Sequence, residues 1–301
     1  MSDTTLAPGT GPWGPGEITV TGATGTVGAA VAAELASLGH RPRLVTRPSS
    51  EAAVPAGAQR VPADLGDTGA VRHALRGSRA LLLLTPLAPG QGHWQAELVG
   101  AAKAAGVERV VKISALGADP SSTVSVHREH GRAERALRAS GLSHASLRPN
   151  AFMQNALQWR ASIARRGTIE LPMGGARVSM IDARDIAAVA VHALLEPERV
   201  DGEVELTGPE ALSYAEIAAH LSDGTGGEVR YVDVDPQVSA ANMRAAGVPE
   251  WAIEARLGLY GTIRAGEAER VSSEVRRITG REPCRFPEFV ARAGAALRSG
   301  T

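Results

Sequence analysis

The chain has 301 residues, with 32 basic and 32 acidic side chains and a formal net charge of zero. That length suffices for one large α/β domain with a smaller appendage, and the even charge gives no reason to expect nucleic acid or an anionic membrane as a partner. No apolar run approaches the roughly 20 residues that cross a bilayer. The first residues lack a basic start and an apolar stretch, and the single cysteine, Cys284, excludes an internal disulfide. These features lead us to expect a protein of the reducing cytoplasm.

Residues 1–16, "MSDTTLAPGTGPWGPG", are rich in Gly, Pro and Thr and read as a mobile arm, with Trp13 as the one side chain able to dock. From Glu17 the pattern alternates. "EITV" is a short strand, "VGAAVAAELASLG" has helical spacing and stops at Gly39, "RPRLVTR" is a second strand and "RVPAD" a third. "GAVRHALRG" is a helix, and "ALLLLTP" is a continuous apolar run, as in a parallel strand covered on both faces. "HWQAELVGAAKAAG", "VERVVKIS", "HREHGRAERALRASG" and "SHASLRP" continue as helix, strand, helix and strand. This rhythm predicts βαβ units and a doubly wound, Rossmann-like parallel sheet over residues 17–150. After Pro149 "NAFMQNALQWRASIARRG" reads as helical, "RVSMIDARDIAAVAVHALLEP" as a strand end and a capped helix, and "GEVELTG" as another strand. Ser213 with Glu216 three residues on is a capping box that starts a helix. "EVRYVDV" is one more short strand. We expect a smaller, mostly helical substrate lobe from residues 151–177 and 209–301, with about 178–208 completing the sheet.

The stretch "TGATGTVG" joins the first strand to the first helix. Glycine is needed where backbone approaches a phosphate closely, and the helix start then offers bare N–H groups and the positive end of its dipole. Gly22, Gly25 and Gly28 stand in that context, spaced G-x-x-G-x-x-G, and predict a dinucleotide site. An acid at the end of the second strand would select NAD. "LVTRPSS" has Arg47 there, with Ser49 and Ser50 beyond, which suits the 2′-phosphate of NADP. We therefore expect NADPH (NADP+) as cofactor. Asp64 in "PADLGD" is placed either to reach the adenine amino group or to form a turn.

With these motifs on the page, the chain resembles the NmrA-like branch of the atypical short-chain dehydrogenase/reductases, which includes bacterial quinone reductases. The resemblance rests on "TGATGTVG", "VTR", "PADLGD", "AAKAAGVERVVKIS", "HREHGRAERALRASGL", "LRPNAFMQN", "IDARDIAAVAVHALLEP", "LTGPEALSYAEIAAHL" and "ITGREPCRFPEFV", in family order over nearly the whole chain. It implies strand order 3-2-1-4-5-6-7 and a cofactor across the sheet's C-terminal edge. Thr24, Gly25, Thr26 and Val27 would line the pyrophosphate, Arg47 would take the 2′-phosphate, Thr85 and Pro86 would lie near the nicotinamide ribose, and Ser114 would end the fifth strand.

The chain departs from the superfamily's best-known reductases in one respect. They use a Tyr and a Lys four residues apart, whereas the residues four beyond Tyr214, Tyr231 and Tyr260 are Ala218, Asp235 and Arg264. In the corresponding helix Val126 fills the tyrosine slot and His130 the lysine slot. A positioned acid contributes roughly 10²–10⁴-fold to a ketone reduction, but a quinone or phenol-conjugated ketone spreads the arriving charge and tolerates its absence. Ser114 is a candidate to polarise a carbonyl or else a local backbone partner, and His130, with His127 one turn earlier, is a candidate proton donor or a solvated helix residue. Asn150, Phe152, Met153 and Trp159 follow the sixth strand as candidate substrate walls or as a packing face; Gln91, His93 and Trp94 are further cleft candidates. Asp182 and Asp185 read as helix caps, and no residues stand at metal-ligand spacing. Two functions are open. One is an NADPH-dependent reductase of a quinone or an aromatic, polyketide-like ketone, either general or tailoring a natural product such as an antibiotic. The other is a non-catalytic NADP(H) sensor with a regulatory partner. The sequence leaves the oligomeric state open.

Overall fold

The computed structural model describes residues 6–298. The first five residues of the expected arm and the last three of the expected lobe lie outside this range. Seven parallel strands form one sheet: β1 (Ile18–Val20), β2 (Arg43–Thr46), β3 (Gln59–Pro62), β4 (Ala80–Leu83), β5 (Arg109–Ile113), β6 (Ser143–Pro149) and a seventh contributed by the "GEVEL" run. In chain order that last strand is β9 (Gly202–Leu206), because β7 (Thr168–Leu171) and β8 (Arg177–Val178) intervene outside the sheet. The sheet order is β3-β2-β1-β4-β5-β6-β9, a doubly wound α/β arrangement.

Both faces of the sheet are covered, and the strand residues divide accordingly. In β4, Ala80 and Leu82 enter the core under α1 (Thr26–Ser37) and α6 (Ala183–Leu195). Leu81 and Leu83 enter the opposite core, under α2 (Thr68–Ala74), α3 (Gln91–Ala104) and α4 (Ser125–Ser140). A strand buried on both faces has no polar alternation, which is why "ALLLL" reads as a continuous apolar run.

A second core lies beyond Pro149. It gathers Met153, Ile169, Leu171, Val178, Tyr214, Ile217, Leu221, Phe286 and Phe289, among others. The segment read as one helix from Asn150 is two: a 3₁₀ turn over Met153–Trp159 and then α5 (Arg160–Arg166). Two small ladders complete this part, β10 (Leu212–Ser213) antiparallel to β8 and β11 (Arg230–Asp233) parallel to β7. Helices α7 (Tyr214–Thr225), α8 (Pro236–Ala245), α9 (Glu250–Arg264) and α11 (Phe286–Arg298) surround it. Helix α10 (Glu274–Thr279) departs from the expected division: Val275 and Ile278 pack into the sheet core against α6. Residues 6–16 also differ from a free arm. Trp13 Nε1 donates to the Leu194 carbonyl at 2.6 Å, Gly9 N–H donates to Leu38 O at 2.9 Å, and Leu6 and Trp13 pack on the sheet core. The indole supplies the apolar area that the surrounding Gly and Pro residues lack. No helix among the described residues is long and apolar enough to cross a membrane.

Of the expected caps, Asp182 and Ser213 are present, while Asp185 sits in the first turn of α6 and accepts the Cys284 N–H instead of capping the helix. Asp182 caps α6 by accepting from Arg184 N–H, and Ser213 and Glu216 form a reciprocal box at α7. The Ser213 carbinol oxygen accepts the Glu216 N–H while the Glu216 carboxylate takes the Ser213 N–H at 2.7 Å. Ser213→Ala is expected to cost about 1 kcal/mol, visible as a lowered midpoint in urea with an unchanged slope; an unchanged midpoint would show that the box adds nothing to the lobe.

Candidate active site

The turn after β1 is set by glycines at two points. Gly22 has φ +62°, and a Cβ there would lie 2.8 Å from the Leu84 carbonyl oxygen. A Cβ on Gly28 would lie 2.2 Å from the Gly22 carbonyl oxygen, so the start of α1 lies directly on the turn. Gly25 N–H closes the turn onto Gly22 O at 3.0 Å. Gly25 is also the residue that precedes α1, and no side chain caps that helix. The N–H groups of Thr26, Val27 and Gly28 are therefore left to an external acceptor, at the positive end of a 12-residue helix. Thr24, Gly25 and Thr26 are exposed and Val27 is buried, its side chain anchoring the helix in the core.

Beside this turn is a pocket of about 320 Å³ lined by Ala23, Thr24 and Ala29, by Leu44 and Thr46 of β2, and by residues 53–55. Thr46 Oγ1 is buried there without a hydrogen-bond partner. Arg60 holds the outer wall by donating to the Ser50 and Ala52 carbonyls. Arg47 follows β2 directly and is exposed. The bare helix start, a cradle that a Cβ would fill, an orphaned hydroxyl in the pocket and an exposed arginine that follows β2 fit the diphosphate and the ribose phosphate of NADPH. Thr46 and the 53–55 wall were not singled out in the sequence, since a strand-end threonine and a small-residue loop have no distinctive spacing. Asp64 takes its turn role: Oδ1 accepts from Gly66 N–H at 2.9 Å.

At the end of β4, Thr85 is buried and its Oγ1 accepts from Gln91 Nε2 at 3.1 Å and Gln95 Nε2 at 2.6 Å. Pro86 is exposed beside it. Of the weaker cleft candidates, Gln91 thus braces Thr85, Trp94 is held by a bond from Nε1 to Leu65 O, and His93 is exposed near Glu97.

The strands β5 and β6 turn polar side chains toward α4. Ser114 is buried, and its hydroxyl donates to Glu134 Oε1 at 2.6 Å. Arg148 makes a two-point contact with the same carboxylate, at 3.0 and 2.5 Å. Lys112 is fully buried, and its Nζ reaches His130 Nδ1 at 2.8 Å. Burial pulls the Lys112 ammonium down to about 7, against a smaller upward pull from Glu134. Burial, then the charge of Lys112 and then His127, hold the His130 imidazole well below its usual range. Ser146 Oγ, opposite Lys112 in the β5–β6 register, is buried without a partner. Val126 is buried, and His127 rests on Gly117, where a Cβ would stand 2.8 Å from the ring. Ser114 therefore has its one proton committed, while His130 is engaged at Nδ1 and is partly exposed. Lys112 was not among the sequence candidates.

The four expected substrate residues part company. Asn150 is a clasp: both amide hydrogens are used, on Ser179 Oγ and Ala268 O at 2.8 Å each, and its Oδ1 accepts from Ala151 N–H. Met153 is 1 % exposed in the second core and has no face left for a ligand. Phe152 and Trp159 remain partly exposed; Trp159 meets Tyr214 edge-on with centroids 6.0 Å apart. Asp182 pairs with Arg292, and Asp185 accepts the Cys284 N–H at 2.8 Å while burial pushes its carboxyl up to about 6. These two carboxylates fasten α6 to α11 and to the segment just before it.

The sheet order and the glycine-led helix start at its C-terminal edge define a Rossmann-type dinucleotide-binding protein. Within that class the chain belongs to the NmrA-like family, whose sequence profile matches residues 15–270. It is 37% identical over 282 residues to an NAD(P)H azoreductase of Xenophilus azovorans, covering 93% of this chain and 99% of that protein. It is 34% identical over 283 residues to a (4-alkanoyl-5-oxo-2,5-dihydrofuran-3-yl)methyl phosphate reductase of Streptomyces griseus, covering 93% and 99%. The NADPH complex of an NADPH-dependent quinone oxidoreductase from Escherichia coli superimposes with a TM-score of 0.81 at 26% identity, over 91% of this chain and 99% of that one.

Gly28→Ala is expected to abolish NADPH binding at concentrations that saturate the natural chain, because the new methyl would displace the turn from the helix start. Fluorescence of the bound dihydronicotinamide reads this directly, and undiminished binding would show that the turn is not the cofactor cradle.

Proposed function

We propose that the protein is an NADPH-dependent reductase of quinones or aromatic, polyketide-like ketones. It is an oxidoreductase, as the relatives named above are. The observation that supports the cofactor is the uncapped start of α1 next to a pocket that holds an orphaned threonine hydroxyl, with the exposed Arg47 following it in the chain. When bound there, NADPH supplies the hydride; the chain supplies orientation and exclusion of water.

The substrate class follows from what the chain offers at the receiving end. No tyrosine stands in the helix facing Ser114, and the Ser114 proton is held by Glu134. An isolated ketone would form a localised alkoxide with neither a tyrosine nor the Ser114 proton to meet it. A quinone, or a ketone conjugated to a phenol, disperses that charge over its rings and suits this site. Phe152 and Trp159 stay partly exposed and are the aromatic side chains on which a flat ring system would stack. The proteins it is similar to include an NAD(P)H azoreductase and an NADPH-dependent quinone oxidoreductase.

Mixing the protein with NADPH and a panel of quinones and hydroxylated polycyclic ketones is expected to consume the dihydronicotinamide absorbance. Tight NADP+ binding without turnover of any acceptor would instead assign the protein as a sensor of cofactor redox state. For the cofactor itself, Arg47→Ala is expected to weaken NADPH by about 10- to 100-fold, the worth of a charge-assisted contact, and to leave NADH nearly unchanged. Equal losses for the two cofactors, by calorimetry, would show that Arg47 does not read the 2′-phosphate.

A further inference from the structure

Lys112 is the one fully buried lysine among the described residues, and it has no carboxylate in contact. A buried ammonium ordinarily pairs with an acid. The nearby acid, Glu134, is taken by Ser114 and Arg148, so it attracts Lys112 only from a distance. Nζ instead donates to the Ile113 carbonyl at 3.2 Å and meets His130 Nδ1 at 2.8 Å. A lysine ammonium has donors and no acceptor, so Nδ1 accepts and the imidazole proton resides on Nε2. His130 is partly exposed, and among the described residues its Nε2 has no partner. The residue stands in the second turn of α4, next to the end of β5 at the sheet edge over which the cofactor's reactive ring would lie.

We propose, resting on the reductase reading, that Lys112 and His130 are a proton relay for the reduction, with His130 Nε2 as the group that meets the substrate. The N–H bond at Nε2 breaks and its proton joins the oxygen made anionic by hydride arrival; an N–H bond forms at Nδ1 with a proton from Lys112. The two electrons come with the hydride of NADPH, so the protein is not oxidised or reduced. His130 ends neutral in its other tautomer and Lys112 ends as a neutral amine. A solvent proton entering at Nε2, with the Nδ1 proton passing back to Lys112, resets the pair. The surrounding charges suit this traffic. His127 and Glu134 face the pair from α4, Arg148 faces it from β6, and Glu267 acts on His127 from the segment after α9. Burial, then the charges of Lys112 and His127, keep the imidazole neutral; burial, against the upward pull of Glu134 and with help from Arg148, brings the ammonium to about 7, close to the pH at which it must give and regain its proton. Ser114, Glu134 and Arg148 are positioning residues: by occupying the carboxylate they keep Lys112 from being locked in an ion pair.

The test uses the full chain in four forms: natural, Lys112→Met, His130→Gln and the double variant. Replacing a buried charge by an apolar side chain of similar length leaves folding intact or firmer, and circular dichroism with thermal melting confirms it. In the ligand-free protein at about pH 6, where Lys112 is an ammonium, ¹⁵N resonances of His130, assigned by their loss in His130→Gln, are expected to show a neutral ring with Nε2 protonated and Nδ1 bare. In Lys112→Met the imidazole is expected to titrate closer to the ordinary histidine range. In single-turnover mixing with NADPH, each variant is expected to slow reduction of an aromatic ketone that has no conjugated phenol by about 100-fold or more, and of a simple quinone by less than about tenfold. The double variant is expected to be no slower than the slower single one, since the two residues act as a unit. A proton on Nδ1, ketone rates within about threefold of the natural chain, or losses that multiply in the double variant would each overturn the relay. A natural chain that binds NADPH and reduces neither acceptor is a different failure, that of the reductase reading, and is told apart because it appears before any substitution.

Discussion

The structure depends on one close approach of backbone to backbone. The Gly28 Cα lies so near the Gly22 carbonyl that a methyl group would stand 2.2 Å from its oxygen. That contact fixes where α1 begins relative to β1, and hence where its first N–H groups point. Because Gly25 brings no side chain, no side chain among the described residues caps those groups. An uncapped helix start is ordinarily a cost of about 1 kcal/mol to the fold; we propose that a diphosphate repairs it on binding. The orphaned Thr46 hydroxyl in the adjoining pocket extends that proposal to a ribose or phosphate oxygen.

The second constraint is the division of labour between the two faces of β5 and β6. Toward α6 these strands turn Val111, Ile113, Ala145 and Leu147, which are ordinary core residues. Toward α4 they turn a polar stripe, the buried Lys112, Ser114 and Ser146 and the partly exposed Arg148. Burying polar side chains is expensive unless they are bonded. Helix α4 supplies His130 and Glu134 for that purpose, four residues apart on one face. The stripe runs to the C-terminal edge of the sheet, which is where this class of fold holds its ligands. Chemistry and packing thus meet in the same six side chains.

What the sequence made legible is what local rules govern. The glycine turn, the caps at Asp182 and Ser213, and the alternation of strands with helices each depend on residues within a few positions of one another. What it left hidden is what only tertiary contact creates. Lys112 and His130 lie 18 residues apart on different elements, and neither has a neighbour in the chain that announces the other. Asn150 and Met153 follow a strand whose end faces the crevice, yet one is spent as a clasp on Ser179 and Ala268 and the other is drawn into the second core. Trp13 lies in a segment with the composition of a loose arm, and a single indole donating to Leu194 is enough to lay residues 6–16 along the domain. Asp64 was open between adenine and a turn, and its bond to Gly66 uses it in the turn.

The central claim is that the unanswered amides of α1 are the diphosphate site. Amide hydrogen exchange of Thr26, Val27 and Gly28, followed residue by residue with and without NADP+, tests it most directly. Marked slowing at these three positions, with smaller changes along the remainder of α1, is the predicted result. Protection confined to other elements, with the start of α1 exchanging as freely as before, would contradict the account.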